Sequence, residues 1–126
     1  METLERGFIP AREIEIGMHL RDTEFGKWNK VSKAYIDRAP IYRTIIDGQI
    51  FDVDNSHKWY IGNGEWTTVT EIKKGDKLEN VTGEKLTVTD NFVLYENEEF
   101  MHLNCENSRF VMGTGIIGHN FPFQKF

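Results

Sequence analysis

The sequence predicts an all-β fold, and two observations support that prediction. Stretches such as "HKWYI", "EKLTVTDNFVLYE" and "RFVMG" are rich in β-branched and aromatic residues and have the lengths of strands. No stretch keeps the apolar period of a helix for as many as three turns. We therefore expect strands throughout the chain, with at most short helical turns at "PAREIE" and "TVTEIKK".

Two dipeptides predict the tight turns between these strands. Asp47-Gly48 separates the apolar residues of "IIDGQIF", and Asn63-Gly64 interrupts "YIGNGEW". A two-residue hairpin turn requires positive φ at both central positions, and Asp, Asn and Gly adopt that conformation at low cost. Each dipeptide therefore predicts a β-hairpin.

The chain also repeats itself at a constant interval. "REIEIGMHL" aligns with "TEIKKGDKL", so that Gly17 matches Gly75 and Leu20 matches Leu78, and 75 minus 17 and 78 minus 20 both give 58. The same interval places "YRTIIDGQIFDV" over "FMHLNCENSRFV". This pattern indicates a duplicated β-unit. Shifting "HKWYIGNGEW" back by the interval passes the start of the chain, so we expect the first copy to lack its opening strand.

Composition and charge limit the classes of function. A length of 126 residues fits one domain. The net charge of -5, with lysines dispersed among glutamates, argues against nucleic-acid binding. Cys105 is the only cysteine, which excludes an internal disulfide and fits the reducing cytoplasm. The start "METLERGFIP" resembles no signal peptide, and we expect no membrane segment, metal or cofactor.

The dipeptide His119-Asn120 in "GTGIIGHNFPFQKF" predicts a self-cleavage site. An asparagine amide nitrogen can attack its own backbone carbonyl, closing a succinimide and expelling the amine of the next residue. A fold that holds these groups in contact accelerates the reaction. A neighbouring histidine can protonate the leaving amine near neutral pH. We expect Gly115 and Gly118 to let the backbone reach the required conformation.

Several segments occur along the chain in the order "GFIPAREIEIGMHLRD", "DVDNSHKWYI" with the following "GEWTTVTEIKKGDKL", "FMHLNCENSRF" and "FVMGTGIIGHN". In this order they resemble sequence blocks of the inteins, which are self-splicing domains of the Hint fold. The internal duplication agrees with the pseudo-twofold horseshoe of that fold, and the resemblance covers residues 3 to 120.

The resemblance implies a role for His57 in the first step of splicing. There the first residue of the intein converts the preceding peptide bond into a thioester or ester, and His57 would protonate the scissile amide nitrogen. Asp54 stands where the family usually has threonine and would act as a supporting hydrogen-bond partner. Without the resemblance, His57 would be interpreted as a half-buried strand histidine that packs beside Trp59.

At the other end, the resemblance implies that Asn120 cyclises and that His119 assists. The preceding block of the family commonly supplies an aspartate and a histidine, and His102 and Ser108 occupy those positions here. Either His102 carries part of the acid–base work, or cyclisation is slow and depends on how completely a partner orders the site. Cys105 aligns with an apolar position and is expected to be a buried strand residue.

The two ends of the chain depart from the family. Inteins open with cysteine or serine, whereas this chain opens with Met1-Glu2. We therefore expect residues 1–120 to be the C-terminal fragment of a split intein, natural or engineered, that a short N-terminal fragment carrying the nucleophile completes. Residues 121–126 would begin the flanking extein. Phe121 stands where the family requires cysteine, serine or threonine to accept the acyl group.

The expected function is therefore protein trans-splicing, with Asn cyclisation and cleavage after Asn120. The reaction would be autocatalytic and would occur once, so the chain would not be an enzyme with turnover. Two alternatives stay open at this point. One is a Hint-type autocleavage domain that does not ligate, for which an N-terminal nucleophile would be expected. The other is a non-catalytic all-β domain that binds a protein, in which Asn120→Ala would change nothing.

Overall fold

The computed structural model describes residues 1–107, 109–112 and 115–119, with positions 110 and 119 described by their backbone alone. Strands dominate this part of the chain, which confirms the all-β prediction. None of its helices is long and apolar enough to cross a membrane. The elements are β1 Glu2–Thr3, β2 Gly7–Phe8, a 3₁₀ helix Ala11–Glu13, β3 His19–Arg21, β4 Trp28–Ile46, β5 Gln49–Asp54, β6 Lys58–Gly62, β7 Glu65–Thr68, β8 Lys77–Glu79, β9 Lys85–Cys105, β10 Arg109–Met112 and β11 Ile116–His119.

The strands form two antiparallel sheets. The first has the order β2-β1-β3-β4-β9-β8, with β5 also paired to β4, and the second has the order β10-β11-β6-β7. The long strands β4 and β9 pair from Val31 opposite Cys105 to Ile46 opposite Val88. Register shifts near Ala39 interrupt this pairing, and such bulges bend a sheet. The β4–β9 pair therefore extends, with a bend, from one group of buried residues that includes Val31 and Cys105 to another that includes Ile46 and Val88.

The secondary structure repeats at the interval seen in the sequence. Strand β8 lies 58 residues after β3, since 77 minus 19 gives 58, and β11 begins 58 residues after β6, since 116 minus 58 gives the same value. The prediction of a duplicated β-unit is therefore confirmed. The structure modifies the expectation that the first copy lacks its opening strand. Strand β1 is present with two residues, and it pairs with β2 and β3.

Both predicted hairpins are present. Asp47 and Gly48 have φ values of 45° and 85°, and Asn63 and Gly64 have values of 55° and 74°. The first pair connects β4 to β5 and the second connects β6 to β7. The positive φ values are those that the turn chemistry requires, so local sequence determines these two connections.

The two expected helical turns also occur. The first is the 3₁₀ helix Ala11–Glu13, within "PAREIE". The second follows β7, where the Ile72 N–H donates to the Thr68 carbonyl at 3.2 Å. Neither turn extends into a helix of several turns, in agreement with the absence of helical periodicity.

Two apolar clusters form the core. Burial of each large side chain stabilises the fold by roughly 1.5–3 kcal/mol. Met112, the last residue of β10, packs against both clusters, so the position of this edge strand of the second sheet depends on both. The first cluster contains Ile46, Val53, Trp59, Val69, Ile72, Leu78, Val88 and Ile116, and the second contains Ile9, Ile14, Leu20, Val31 and Cys105.

Cys105 is the buried strand residue that the sequence predicts. It ends β9 and is only 6% exposed. Burial raises the pKa of its thiol to about 12, with smaller contributions from the charges of Asp22 and Glu106. A thiol in this environment stays protonated near neutral pH, which does not favour a nucleophilic role.

Candidate functional site

The pairing of β6 with β11 brings two of the sequence motifs together. Gly118 lies opposite Trp59, and His119 lies opposite Lys58. His57 immediately precedes Lys58 in the sequence, and Asn120 immediately follows His119. The stretches that the resemblance assigns to the two ends of the splicing reaction therefore belong to adjacent strands.

Strand β11 is also held along its other edge and at its start. Strand β10 pairs with it from Arg109 opposite His119 to Met112 opposite Ile116. The Val81 N–H donates to the Gly115 carbonyl at 2.9 Å just before β11 begins. Because β11 has a paired strand on each side, its register is determined by two independent ladders.

His57 is held by its backbone and by Trp59. Its N–H donates to the Asp54 carbonyl at 3.1 Å, and its carbonyl accepts the Val69 N–H at 2.9 Å. The buried imidazole meets the Trp59 ring edge-on, with ring centroids 4.3 Å apart and planes at 65°. Burial beside Trp59 is what the purely structural interpretation expects. The catalytic interpretation depends on what lies on the neighbouring strand.

Gly118 lets the backbone of β11 approach the His57 ring. A Cβ atom built at Gly118 would lie 3.2 Å from His57 Cε1 and 2.5 Å from Met112 Sδ. No side chain fits between these two groups without displacing one of them. Both Gly115 and Gly118 were expected to allow an unusual backbone conformation. Of these two, only Gly115, with φ at 135°, has a left-handed value. Gly118 is instead required for the close approach of the β11 backbone to the His57 ring.

Asp54 organises the turn that leads into β6. Its carboxylate accepts the Ser56 N–H at 3.1 Å and also accepts the Ser56 hydroxyl, which is the arrangement of an Asx turn. Its carbonyl accepts the His57 N–H. Asp54 is therefore a hydrogen-bond partner of His57 through the backbone, and a direct part in the chemistry stays a prediction.

His102 lies on the long β9 strand in an aromatic environment. It is opposite Tyr35 in the β4–β9 pair and stacks on that ring, with centroids 5.1 Å apart and planes at 14°. Phe100 lies 5.8 Å from it, centroid to centroid. Burial raises the pKa of Tyr35, and the charges of Asp37 and Asp54 add to the effect. The acid–base role of His102 stays a prediction.

Three of the predicted site residues lie outside the described part of the chain. These are Ser108, Asn120 and Phe121, the last together with the rest of 121–126. His119 is described by its backbone alone. The roles assigned to these residues therefore stay predictions from the sequence and its resemblance.

One residue near the site was missed by the sequence analysis. Asn29 is 3% exposed, and its side-chain amide donates to the carbonyls of Asn107 and Arg109 at 2.6 and 2.8 Å. These contacts hold the segment that leads into β10. Asparagine is depleted in strands, so its presence within the strand-like "KWNKV" was the available signal.

The described residues offer no group of three or more histidine, cysteine, aspartate and glutamate side chains that could hold a metal ion. His19 Nδ1 lies 2.6 Å from the Glu5 carboxylate, between β3 and the β1–β2 turn.

We predict that Gly118→Ala destabilises the protein by about 1–3 kcal/mol, the usual cost of an extra methyl group in a filled space. The new Cβ would displace Met112 Sδ and press on the His57 ring. Urea unfolding of the variant measures the effect. Met112→Ala should cost less stability in the Gly118→Ala background than in the wild type, because it removes the side chain that the new Cβ would displace. A Gly118→Ala protein as stable as the wild type would contradict this description of the site.

Comparisons with solved structures relate this arrangement to known proteins. No protein-family model matches the sequence, and no curated protein sequence matches it closely enough to show a relationship. The fold is similar to that of the MchDnaB-1 intein, with a TM-score of 0.79 and 19% identity over 95% of this chain and 95% of that chain. It is also similar to a DnaB intein from Synechocystis sp. PCC 6803, with a TM-score of 0.77 and 14% identity over 97% and 94% of the two chains.

A bacterial intein-like domain from Clostridium thermocellum gives the same result. Its TM-score is 0.76 at 16% identity, over 94% of this chain and 91% of that chain. At such identities the similarity is informative about architecture, and it agrees over nearly the full length with the two-sheet, duplicated arrangement described above. The chain therefore has the Hint fold of the inteins.

Proposed function

We propose that this chain is the C-terminal fragment of a split intein and mediates protein trans-splicing with a short N-terminal fragment. The observation that supports the proposal most directly is the β6–β11 pairing, in which His57 adjoins the strand that leads into His119-Asn120. This juxtaposition occurs within a fold shared with inteins. Residues 1–120 form the intein part, and residues 121–126 begin the extein.

In the proposed first step, the cysteine or serine of the N-terminal fragment attacks the carbonyl before it. His57 protonates the amide nitrogen of that bond, a task that suits an imidazole because it titrates near neutral pH. The two backbone hydrogen bonds of His57 support this role because they fix its main chain, and the contact with Trp59 supports it because it restricts the ring. A fixed proton donor loses little orientational freedom at the moment of reaction.

In the proposed terminal step, Asn120 Nδ2 forms a bond to the carbonyl carbon of Asn120, and the bond from that carbon to the Phe121 nitrogen breaks. Asn120 Nδ2 gives up one proton as it becomes the imide nitrogen, and the leaving nitrogen takes up one proton, which His119 supplies or relays. The products are residues 1–120 ending in a succinimide and a fragment beginning with a free amine at Phe121. No other reactant is consumed, so the chemistry needs only the correct geometry.

Ligation also requires a particular kind of side chain at position 121. The migrating acyl group needs a hydroxyl or thiol acceptor, which Phe121 does not provide. The chain as given is therefore proposed to cleave after Asn120, and full splicing is proposed for a form with cysteine, serine or threonine at position 121.

The proposed partner is a short N-terminal intein fragment together with the extein attached to it. Strand β1 has two residues, whereas β6, which lies at the equivalent place in the second copy, has five. A strand supplied by the fragment could extend β1 along β3, which is recognition by strand addition. The proposal predicts that the β1–β3 region becomes more ordered when the N-terminal fragment binds.

We predict that the purified chain, kept near neutral pH, releases residues 121–126. Intact-mass spectrometry over time should detect residues 1–120 at a mass one water below that of the hydrolysed fragment, because the terminal asparagine has become a succinimide. Asn120→Ala removes the attacking amide and should stay intact, and His119→Ala should cleave more slowly. If neither the chain nor a Phe121→Ser variant cleaves, or if Asn120→Ala cleaves equally, the proposed chemistry is wrong.

We further predict that His102 contributes to this step. His102→Phe retains an aromatic ring to stack on Tyr35 but cannot transfer a proton, and it should slow cleavage by about 10²-fold, the usual scale of general acid–base catalysis. His102→Asp restores the residue type common in the family and should recover much of the rate. Cleavage by His102→Phe at the wild-type rate would show that the ring acts only through packing.

A further inference from the structure

The segment between β9 and β10 is fastened by one buried side chain of β4. Asn29 donates both amide hydrogens to backbone carbonyls, to Asn107 at 2.6 Å and to Arg109 at 2.8 Å. Its Oδ1 accepts the Asn107 N–H at 2.9 Å. Asn29 is 3% exposed, and these partners lie 78 and 80 residues away in the sequence. A buried amide with this many bonds holds its partners firmly, because losing any bond leaves a buried polar group unpaired.

Further bonds attach the same segment to the first copy of the repeat. The Glu106 N–H donates to the Lys30 carbonyl at 2.9 Å. The Asn107 side-chain amide donates to the Asp22 carboxylate at 3.2 Å. Asn29 contributes the buried part of this attachment, and the Asp22 bond is exposed. The entry into β10 is therefore fixed chiefly by Asn29.

Two pairs of residues on neighbouring strands connect this attachment to the proposed cleavage site. Arg109, whose carbonyl Asn29 holds, is the first residue of β10 and lies opposite His119 in β11. His119 in turn lies opposite Lys58, the residue after His57. A displacement of Arg109 would therefore alter the end of β11 that carries the proposed reacting residues.

We propose that Asn29 is a positioning residue for cyclisation at Asn120. It sets the register of β10 against β11 at the Arg109–His119 pair, and so places the strand end from which Asn120 continues. It acts through the backbone that it holds, because its side chain bonds to Asn107 and Arg109. This inference rests on the proposed function and deepens it.

The chain contains a matched control for a purely structural effect. Asn91 of β9 donates its amide to the carbonyls of Val69 and Ile72 at 2.8 and 3.0 Å, and its Oδ1 accepts the Thr44 hydroxyl at 2.8 Å. Each asparagine makes three such bonds, although Asn29 Oδ1 accepts a backbone N–H and Asn91 is only half-buried. The segment that Asn91 holds is the turn after β7, which bonds to the His57 carbonyl through the Val69 N–H and does not carry β10. Asn91→Ala should therefore lower stability without the same effect on β10 and β11.

The test compares C-terminal cleavage rates of Asn29→Ala, Asn29→Asp and Asn91→Ala, each corrected for the folded fraction from urea unfolding. Displacements on the order of 1 Å cost up to about 10²-fold in rate, so Asn29→Ala should be slowed by about tenfold or more. Asn29→Asp keeps the acceptor for the Asn107 N–H and loses both donated bonds, and it should be equally slow. Asn91→Ala should be slowed by less than about threefold. Equal slowing by Asn29→Ala and Asn91→Ala would overturn the inference.

Amide hydrogen exchange provides a readout that does not depend on cleavage. In Asn29→Ala, exchange should accelerate at residues 109–112 and 116–119, whereas Asn91→Ala should leave these amides protected. Unchanged exchange in Asn29→Ala would overturn the inference even if its cleavage is slow. If the wild type releases no fragment, the proposed function fails, and a selective rise in exchange would then support only the link from Asn29 to β11 and overturn its part in cyclisation.

Discussion

The antiparallel pairing of β6 with β11 is the interaction on which the rest of the site depends. These strands begin 58 residues apart, which is the interval of the repeat. Trp59 is fully buried on β6, and Gly118 opposite it leaves room for the His57 ring. Any residue larger than glycine at position 118 would displace Met112 Sδ and press on the His57 ring. The close approach of the two strands is thus a requirement of packing before it is a requirement of chemistry.

The long β4–β9 pair makes this arrangement possible by connecting the two apolar clusters. Cys105 and Val31 belong to one cluster, and Ile46 and Val88 belong to the other. Apolar burial supplies most of the stability, but it is not directional and does not fix the loops. The buried amide of Asn29 on β4 fixes one of them instead, because it bonds to the backbone of Asn107 and Arg109 and has few acceptable arrangements. Stability and precision at the site therefore come from different side chains of one pair of strands.

The parts of the structure that depend on local sequence could be predicted. The turns at Asp47-Gly48 and Asn63-Gly64 follow from the φ values that hairpins require, and the interval of the repeat reappears in the strands themselves. The tight space at Gly118 and the bonds of Asn29 could not be predicted, because they depend on residues distant in sequence. The two-residue strand β1 was missed because the shift by 58 carries His57 and Lys58 past the start of the chain, although the same shift places Tyr60 and Ile61 on Glu2 and Thr3, which form β1.

The proximity of His57 to the strand that carries His119 is the central claim, and cross-strand nuclear Overhauser effects measure it directly. The account predicts contacts between backbone protons of Trp59 and Gly118 and between those of Lys58 and His119, in the register described here. Their observation in the isolated chain would establish that the two motifs belong to adjacent paired strands. Contacts that place β11 in another register, or beside a strand other than β6, would contradict the account, because His57 and His119-Asn120 would then not lie on adjacent paired strands.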